Sequence, residues 1–546
     1  MTENITMIEL FSGIGAQETA LRQLGVPYEI IATCDCDKDA VLSYAAMRVD
    51  FENEFNSYNF PSMEDMIAEL QNKNVGYDFM KGKHTVTTRT PIDKLKQYYL
   101  ADKLSRNLGD IGKIERLPYV DIVTYSFPCT DLSVAGKGEG MQNKCDTCGH
   151  SWPIDFSNSE ETLICPNCGN KVSSSTRSGL LGQVQRLLAV AYKNNELPKY
   201  LLLENVKNLV GKKFVNQFNA WVKWLDSIGY NTYYEVLNAK HYGIPQNRER
   251  IFAISIRKDV DTGRFKFPER IPLTTRLKDI LENNVDEKYY LPDDRIEKIL
   301  NSTFIQEKKR IQMKDVCDTL LARDWKDPKC VQVEDPFIVA SRGRNPDNPS
   351  DRTTGSPTEQ RLEPNFSGCT NTITSVQKDN YVCEPQVKNV GNIYPSNGQN
   401  GNIYDVNGIS PTINAGIGVN GCGIGSNNAP KVIIPEPMIV DDLYANREPR
   451  LYTDASPALR SERNGLKVAE HFVKYRIRKL TPKECWRLMG FTDEDHDRAA
   501  EYVSASARYK QAGNSICTCC LVGIFNALFL EDYSTSYKDK LVDYNS

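Results

Sequence analysis

Short apolar runs alternating with amphipathic helical stretches are what most restricts the fold of this chain. The runs are Ile5–Leu10, Glu29–Cys34, Val120–Ser126, Tyr200–Leu203 and Ile251–Ile256. Strands spaced by helices return to a sheet over crossovers, so the pattern predicts an α/β fold with a mainly parallel sheet. Two segments interrupt the rhythm. Residues 53–106 are polar and partly helical and read as an insertion, and Lys144–Lys171 carries two cysteine pairs. From about Phe267 to Val473 the character changes: helical periodicity fades after about Leu300, and Asn389–Asn428 is rich in Asn and Gly, which favour turns. Weakly repeated segments there (Asp318–Ala322, Asn371–Ser375, Pro411–Ala415, Pro457–Ser461) and the run Lys431–Ile434 predict irregular β-hairpins. Helical pattern resumes near Tyr475, with Thr481 as an N-cap and Pro482 in the first helical position. The expected organisation is a domain over 1–265, a second over 266–474, and a segment 475–546 that completes the first.

Bulk properties remove several alternatives. At 546 residues the chain exceeds one ordinary core. No run approaches about 18 consecutive apolar residues, so no membrane span is expected, and the first ten residues lack the basic and apolar regions of a secretory signal. Sixteen cysteines spread over this length suit a reduced, cytoplasmic setting. The net charge of −4 gives no bulk support for nucleic-acid binding, so any such surface is a local basic patch.

Chemistry concentrates where predicted strands end. Ile5–Leu10 runs into Phe11-Ser12-Gly13-Ile14-Gly15 and then a helix, an arrangement that lets backbone approach a ligand at a helix N-terminus. Glu18 stands where a dinucleotide fingerprint has its third glycine, which points to a ligand without phosphates. Asp35, about 20 residues on, suits a ribose diol; read alone it is more readily a helix N-cap. Asp110-Ile111 is, taken singly, an ordinary turn. Cys129 follows Phe127-Pro128 at the end of a strand, where open α/β sheets place their chemistry, and a nearby cation or helix N-terminus would activate it. Glu204, at the end of the next strand, could serve as a general acid toward a ring nitrogen or as a helix N-terminal carboxylate. Gln246, Arg248 and Arg250 alternate along an extended segment and would line one wall or form a solvated charged edge.

Taken in order, these elements resemble the cytosine-5 DNA methyltransferase family of bacterial and phage type. Phe11-Ser-Gly-Ile-Gly15, Asp35, Asp110-Ile111, Phe127-Pro128-Cys129, Arg177-Ser-Gly-Leu180, Glu204-Asn-Val206, Gln246-x-Arg248-x-Arg250, Arg478–Phe491 and Tyr509–Ile516 carry the resemblance. One departure is Thr130-Asp131, where the family commonly has Gln. The resemblance implies a Rossmann-like S-adenosylmethionine-dependent methyltransferase fold with a β-rich target recognition domain over 266–474. It implies Cys129 as nucleophile toward cytosine C6, Glu204 at N3, and Arg248 and Arg250 holding a base flipped out of the duplex. Phe11, Ser12, Gly13, Gly15, Asp35, Asp110, Ile111, Pro128, Leu180, Asn514 and Ser515 are the implied cofactor contacts. The implied partner is double-stranded DNA, bound by a monomer in the cytoplasm of a bacterial or phage-infected cell, with a cognate restriction endonuclease as one setting. An RNA-acting relative is disfavoured by the large intervening region, and a silent copy by the intact Cys129, Glu204 and Arg250.

Cys145-x2-Cys148 and Cys165-x2-Cys168 are separated by sixteen residues, and a glycine follows each pair. Such turns aim four thiolates at one tetrahedral ion, so a structural Zn²⁺ is expected. The segment resembles a small zinc ribbon. Its place after the nucleophile suggests that it touches DNA or stiffens closure of the loop that follows Cys129.

Overall fold

The structure is a computed structural model. It describes residues 4–79, 81–128, 132, 141–145, 147–154, 156, 164–170, 177–275, 277–289, 337–345, 359–365, 370–371, 381–385, 389–392, 402–405, 431–433, 439–441, 450–452, 466–468, 475–530 and 535–544. The chain divides into two compact units. The first holds Met1–Val285, Ala340–Asn380 and Leu480–Ser546, the second Asp286–Val339 and Tyr381–Lys479.

The first unit is built on a six-stranded sheet: β1 (Ile5–Leu10), β2 (Tyr28–Cys34), β3 (Ile122–Tyr125), β4 (Tyr200–Val206), β5 (Tyr230–Asn238) and β6 (Glu249–Arg257). Their order is β2-β1-β3-β4-β6-β5. Parallel ladders join β2, β1, β3 and β4. β6 is antiparallel to both β4 and β5, so it alone is reversed. This is a Rossmann-like, mainly parallel α/β sheet. The run at Ile251–Ile256 is thus not another parallel member, and β5 was not expected. Ten residues, 239–248, separate β5 from β6, with the short turn Ala239–His241 among them. A link that short makes a hairpin and dictates the reversal.

Burial explains the strand assignments. β4 has Leu201, Leu202 and Leu203 consecutively buried, as in a strand covered on both faces. The edge strand β5 alternates irregularly between buried and exposed positions. The covering helices bury a stripe at helical spacing: Leu181, Val184 and Leu188 on α3 (Leu181–Lys193), and Phe218, Trp221 and Leu225 on α4 (Val215–Ser227). Trp221 lies edge-on to Tyr125 and donates its Nε1–H to that phenol at 3.2 Å, so this large core side chain also satisfies its polar atom.

The C-terminal segment completes this unit. Thr481 caps α5 (Pro482–Arg487), as the sequence predicts, and Glu484 turns that cap into a capping box. α7 (Thr518–Phe529) packs on α1 (Ala16–Leu24), and Arg22 pairs with Asp495 at 2.6 Å.

The described part of the second unit contains short strands. Tyr381–Pro385 pairs antiparallel with Tyr475–Lys479, and its first residues pair with Phe337–Val339. Asn402–Asp405 lies between Asn389–Asn392 and Lys431–Ile433. Ile439–Asp441 lies between Arg450–Tyr452 and Leu466–Val468. Its described residues are irregular and β-rich, and Lys431–Ile433 is the strand expected there. Three of the repeated segments (Asp318–Ala322, Pro411–Ala415 and Pro457–Ser461) lie outside the described residues, as does Asn371–Ser375 beyond the strand Thr370–Asn371.

Candidate active site

The carboxyl ends of β1 to β4 converge on one edge of the sheet, and the predicted residues gather there. After β1 the backbone turns through Phe11, Gly13 and Gly15, all with positive φ. A Cβ on Gly15 would collide with Tyr44 and Arg48, so both space and conformation require glycine. Phe11 is half-buried against the core and Ser12 is buried. The amide of Glu18, in the first turn of α1, donates to Glu9 Oε1 at 3.0 Å, and Tyr44 Oη donates to Glu9 Oε2 at 2.7 Å. A protein carboxylate thus already occupies this helix N-terminus, in keeping with a ligand that lacks phosphates. Burial pushes Glu9 up to about 7 against the pull of Arg48. Arg48 also pairs with Glu18 and donates to the Gly15 carbonyl at 3.0 Å, locking the turn from behind.

Asp35 ties two strand ends together. Its Oδ2 accepts from the Gly13 amide at 2.8 Å and its Oδ1 from the Asp37 amide at 2.7 Å. Asn107 holds its backbone on both sides, at 2.9 and 3.0 Å. Asp35 is not the N-cap of α2 (Lys38–Ala46); Asp37 is, accepting from Asp39 and Ala40. Burial, then repulsion from Asp37, raises Asp35 to about 6. Asp110 caps the short turn Ile111–Lys113 through the Gly112 amide at 2.9 Å, and its other oxygen accepts from Asn74 at 2.7 Å. Ile111 is buried beneath. Each carboxylate oxygen has a second lone pair, so both acids can still receive a ligand's hydroxyl or amine. Leu180 ends the turn that opens α3 and packs on the core.

At the other end of the edge, Glu204 on β4 is buried and its Oε1 lies 3.3 Å from Arg250 Nε on β6. Burial raises the Glu204 pKa, and Arg250 and then Arg248 pull it down. The neighbouring Asn205 donates its side-chain amide to the Phe127 carbonyl at 2.9 Å. That hydrogen bond joins the Glu204 strand to the turn carrying Pro128, which is half-buried. Cys129 itself, with Thr130 and Asp131, lies outside the described residues. Asn205 was missed as a separate element; its position beside Glu204 was the available signal.

Gln246, Arg248 and Arg250 do not form a solvated edge. Gln246 and Arg248 are buried. Gln246 Nε2 donates to the Leu488 carbonyl at 2.6 Å, while Arg248 donates to the carbonyls of Ser515 at 2.7 Å and Gly513 at 3.3 Å. Arg250 alone faces Glu204. The alternation therefore divides the labour: two side chains staple the C-terminal segment and the third joins the acid. Asn514 ends α6 (Ala505–Asn514) exposed, and Ser515 caps it.

The four cysteines come together as their spacing predicts. The Sγ atoms of Cys145, Cys148, Cys165 and Cys168 lie within 4.8 Å of one another, the one such group among the described residues. Cys145–Cys168 and Cys148–Cys165 are 3.5 and 3.6 Å apart. Sulfurs about 2.3 Å from one zinc ion in a tetrahedron stand about 3.8 Å apart, so the donor set fits. The two turns are alike: Gly149 and Gly169 are left-handed and donate to the carbonyls of Cys145 and Cys165. The His150 amide and the Asn167 side chain hold Cys148 down to about 6. The base of this knuckle is anchored. Met141 and Asn143 are buried, and Phe156 packs on Trp221 at 5.5 Å.

Comparison with known proteins agrees with this arrangement. The pattern of a family described as C-5 cytosine-specific DNA methylase matches residues 61–148 and 167–529. The type II methyltransferase M2.ScrFI of Lactococcus lactis subsp. cremoris is 36% identical over 294 residues, 54% of this chain and 71% of that protein. The orphan methyltransferase M.SPBetaI of Bacillus phage SPbeta is 28% identical over 96% of this chain and 97% of its own length. The orphan methyltransferase M.SssI of Spiroplasma monobiae is 34% identical over 53% of this chain and 67% of its own.

Proposed function

The chain belongs to the C-5 cytosine-specific DNA methylase family and is a DNA cytosine-5 methyltransferase, and from that premise we propose that it methylates cytosines flipped out of a specific duplex sequence through a covalent adduct at Cys129. The observation that carries this reading is the pairing of buried Glu204 with Arg250 at 3.3 Å, beside an asparagine that holds the turn leading to Cys129.

The cytosine ring must leave the stack to reach such a site. The Cys129 thiolate forms a bond to C6, and Glu204 gives a proton to N3 as the ring accepts the electron pair. Burial keeps that proton on Glu204 nearer to neutral pH, which suits a general acid. Arg250 supports Glu204 and the adduct. C5 is then nucleophilic enough to take a methyl group. S-adenosylmethionine, once bound, would supply that methyl from its sulfonium, which would become a neutral thioether. A base removes the C5 proton, the C6–S bond breaks as N3 returns its proton to Glu204, and the thiolate is restored. Phe11, Ser12, Gly13, Gly15, Asp35, Asp110, Ile111, Pro128, Leu180, Asn514 and Ser515 form the donor's pocket, with Asp35 toward the ribose and Asp110 toward the adenine. Arg248 acts as a positioning residue through Gly513 and Ser515.

The catalytic domain comprises 1–265 and 475–546, and the region 266–474 reads the target sequence. A structural Zn²⁺ held by Cys145, Cys148, Cys165 and Cys168 stiffens the segment after the nucleophile. The protein works as a monomer on double-stranded DNA in the cytoplasm, either beside an endonuclease of the same specificity or as a solitary modifier.

Purified protein incubated with mixed-sequence duplex and S-adenosylmethionine, followed by nucleoside mass spectrometry, tests the reading. The expected product is 5-methylcytosine, absent with Cys129→Ala. Methylation of transfer RNA but not of DNA overturns it.

A further inference from the structure

One surface beside the site has no role in the chemistry above. Tyr77–Asp78 and Lys83–His84 form a small antiparallel hairpin within the segment inserted between β2 and β3. The hairpin is rooted on the same sheet edge as the proposed site. The Gly76 amide donates to the Cys36 carbonyl at 2.8 Å, and Asn74 donates to Asp110 at 2.7 Å. Tyr77 packs edge-on against both His84, at 4.8 Å, and Phe79, at 4.9 Å. Phe79 remains 53% exposed at the tip. Exposed cations lie close to it in sequence, Lys81, Lys83 and Arg89, and exposed Lys113 donates to Asn74 at 3.0 Å at the hairpin's root. Asp78 lies 3.4 Å from Lys81. Among the described residues Lys83 and Arg89 have no carboxylate partner. From Lys73 to Arg106 the sequence carries eight Lys and Arg against three Asp and no Glu, in a chain whose net charge is −4.

We infer that this hairpin is a second contact for duplex DNA, gripping the sugar–phosphate backbone. The inference rests on the reading of the protein as a DNA-acting enzyme. An exposed ring flanked by unpaired cations matches a polyanion that offers both phosphates and apolar sugar faces. Lys83 and Arg89 would neutralise phosphates, and Phe79 would pack on deoxyribose. Such contacts carry no sequence information; they add affinity and fix orientation. They also answer the charge problem, because an acidic protein needs a local basic patch to hold DNA.

The test is the salt dependence of binding, read by fluorescence anisotropy with a fluorescein-labelled mixed-sequence duplex and the full chain. Each lost phosphate contact lowers the slope of log affinity against log salt by about 0.9. The double variant Lys83→Ala/Arg89→Ala is expected to lose about two units of slope and to bind about tenfold more weakly at moderate salt. Phe79→Ala is expected to weaken binding severalfold with the slope unchanged. Donor affinity and melting temperature should stay at wild-type values in both, since the altered side chains are exposed. Lys223→Ala, on the exposed face of α4, controls for a general charge effect. A double variant with wild-type slope and affinity overturns the inference, as does a loss no larger than that of Lys223→Ala, or wild-type protein that fails to bind duplex. Because binding is read without methyl transfer, a protein that binds DNA through the hairpin yet forms no 5-methylcytosine would refute the proposed activity alone.

Discussion

The two ends of the candidate site treat their acids in opposite ways. At the cofactor end, Asp35 and Asp110 have every carboxylate oxygen engaged by the protein's own N–H groups, and these bonds stitch together the Gly-rich turn, β2 and the turn after Gly109. At the base end, Glu204 is buried with one ion pair, to Arg250, and Arg248 acts on it only through its charge. The first arrangement fixes shape; the second leaves a proton to be moved. A carboxylate's neighbours, more than its place at a strand end, decide which task it can perform.

Predictions follow from that contrast, the largest first. Glu204→Gln keeps size and polarity but cannot deliver a proton, so kcat should fall at least about 100-fold, with donor KM nearly unchanged, as steady-state kinetics will read. An effect confined to KM would erase the distinction between the ends. Arg248→Ala removes hydrogen bonds from a charged donor to two backbone carbonyls. Stability to urea should fall by about 2 kcal/mol, and donor Kd should rise, with partial rescue of both in Arg248→Lys. Asp35→Asn replaces one acceptor with a donor facing an amide. Donor binding should weaken about tenfold, while single-turnover methyl transfer at saturating donor stays within a few fold of wild type.

Two smaller effects concern protons. Because the Glu204 pKa is raised, its acidic form is abundant at low pH, so kcat should fall as pH rises through that pKa. The descending limb should disappear in Glu204→Gln. Glu9 is the quieter case. Its folded pKa of about 7 exceeds the ordinary 4.5, so the folded state binds the extra proton, and stability should decline as pH rises through that window. Melting temperatures of Glu9→Gln against wild type, compared across the same range, should differ least at the acid end.

How much of this was legible depended on the range of the interactions. β1 and the capping of Pro482–Arg487 are local matters of apolar pattern and cap chemistry, and the sequence specified them. The knuckle was legible because two close Cys pairs leave few geometries. β5 was not, because Tyr230–Asn238 carries an edge-strand mixture of polar and aromatic residues without clean alternation. The arginine segment was legible only in its periodicity. That Gln246 and Arg248 reach the backbone of residues 488–515 depends on contacts some 240 to 270 positions apart, which no local pattern encodes. Likewise Asp35 could be read as ligand contact or cap, and only the position of the Asp37 amide and Gly13 separates these.

The C-terminal completion of the first unit bears on how the protein is made. Arg22 waits for Asp495, and α1 for α7, while the whole of the second unit is translated between them. Contacts so distant in sequence close late and slowly. A nascent chain therefore lacks the segment that Gln246 and Arg248 hold until the intervening unit has already left the ribosome. Biosynthesis itself imposes an order in which the proposed sequence reader exists before the catalyst it directs.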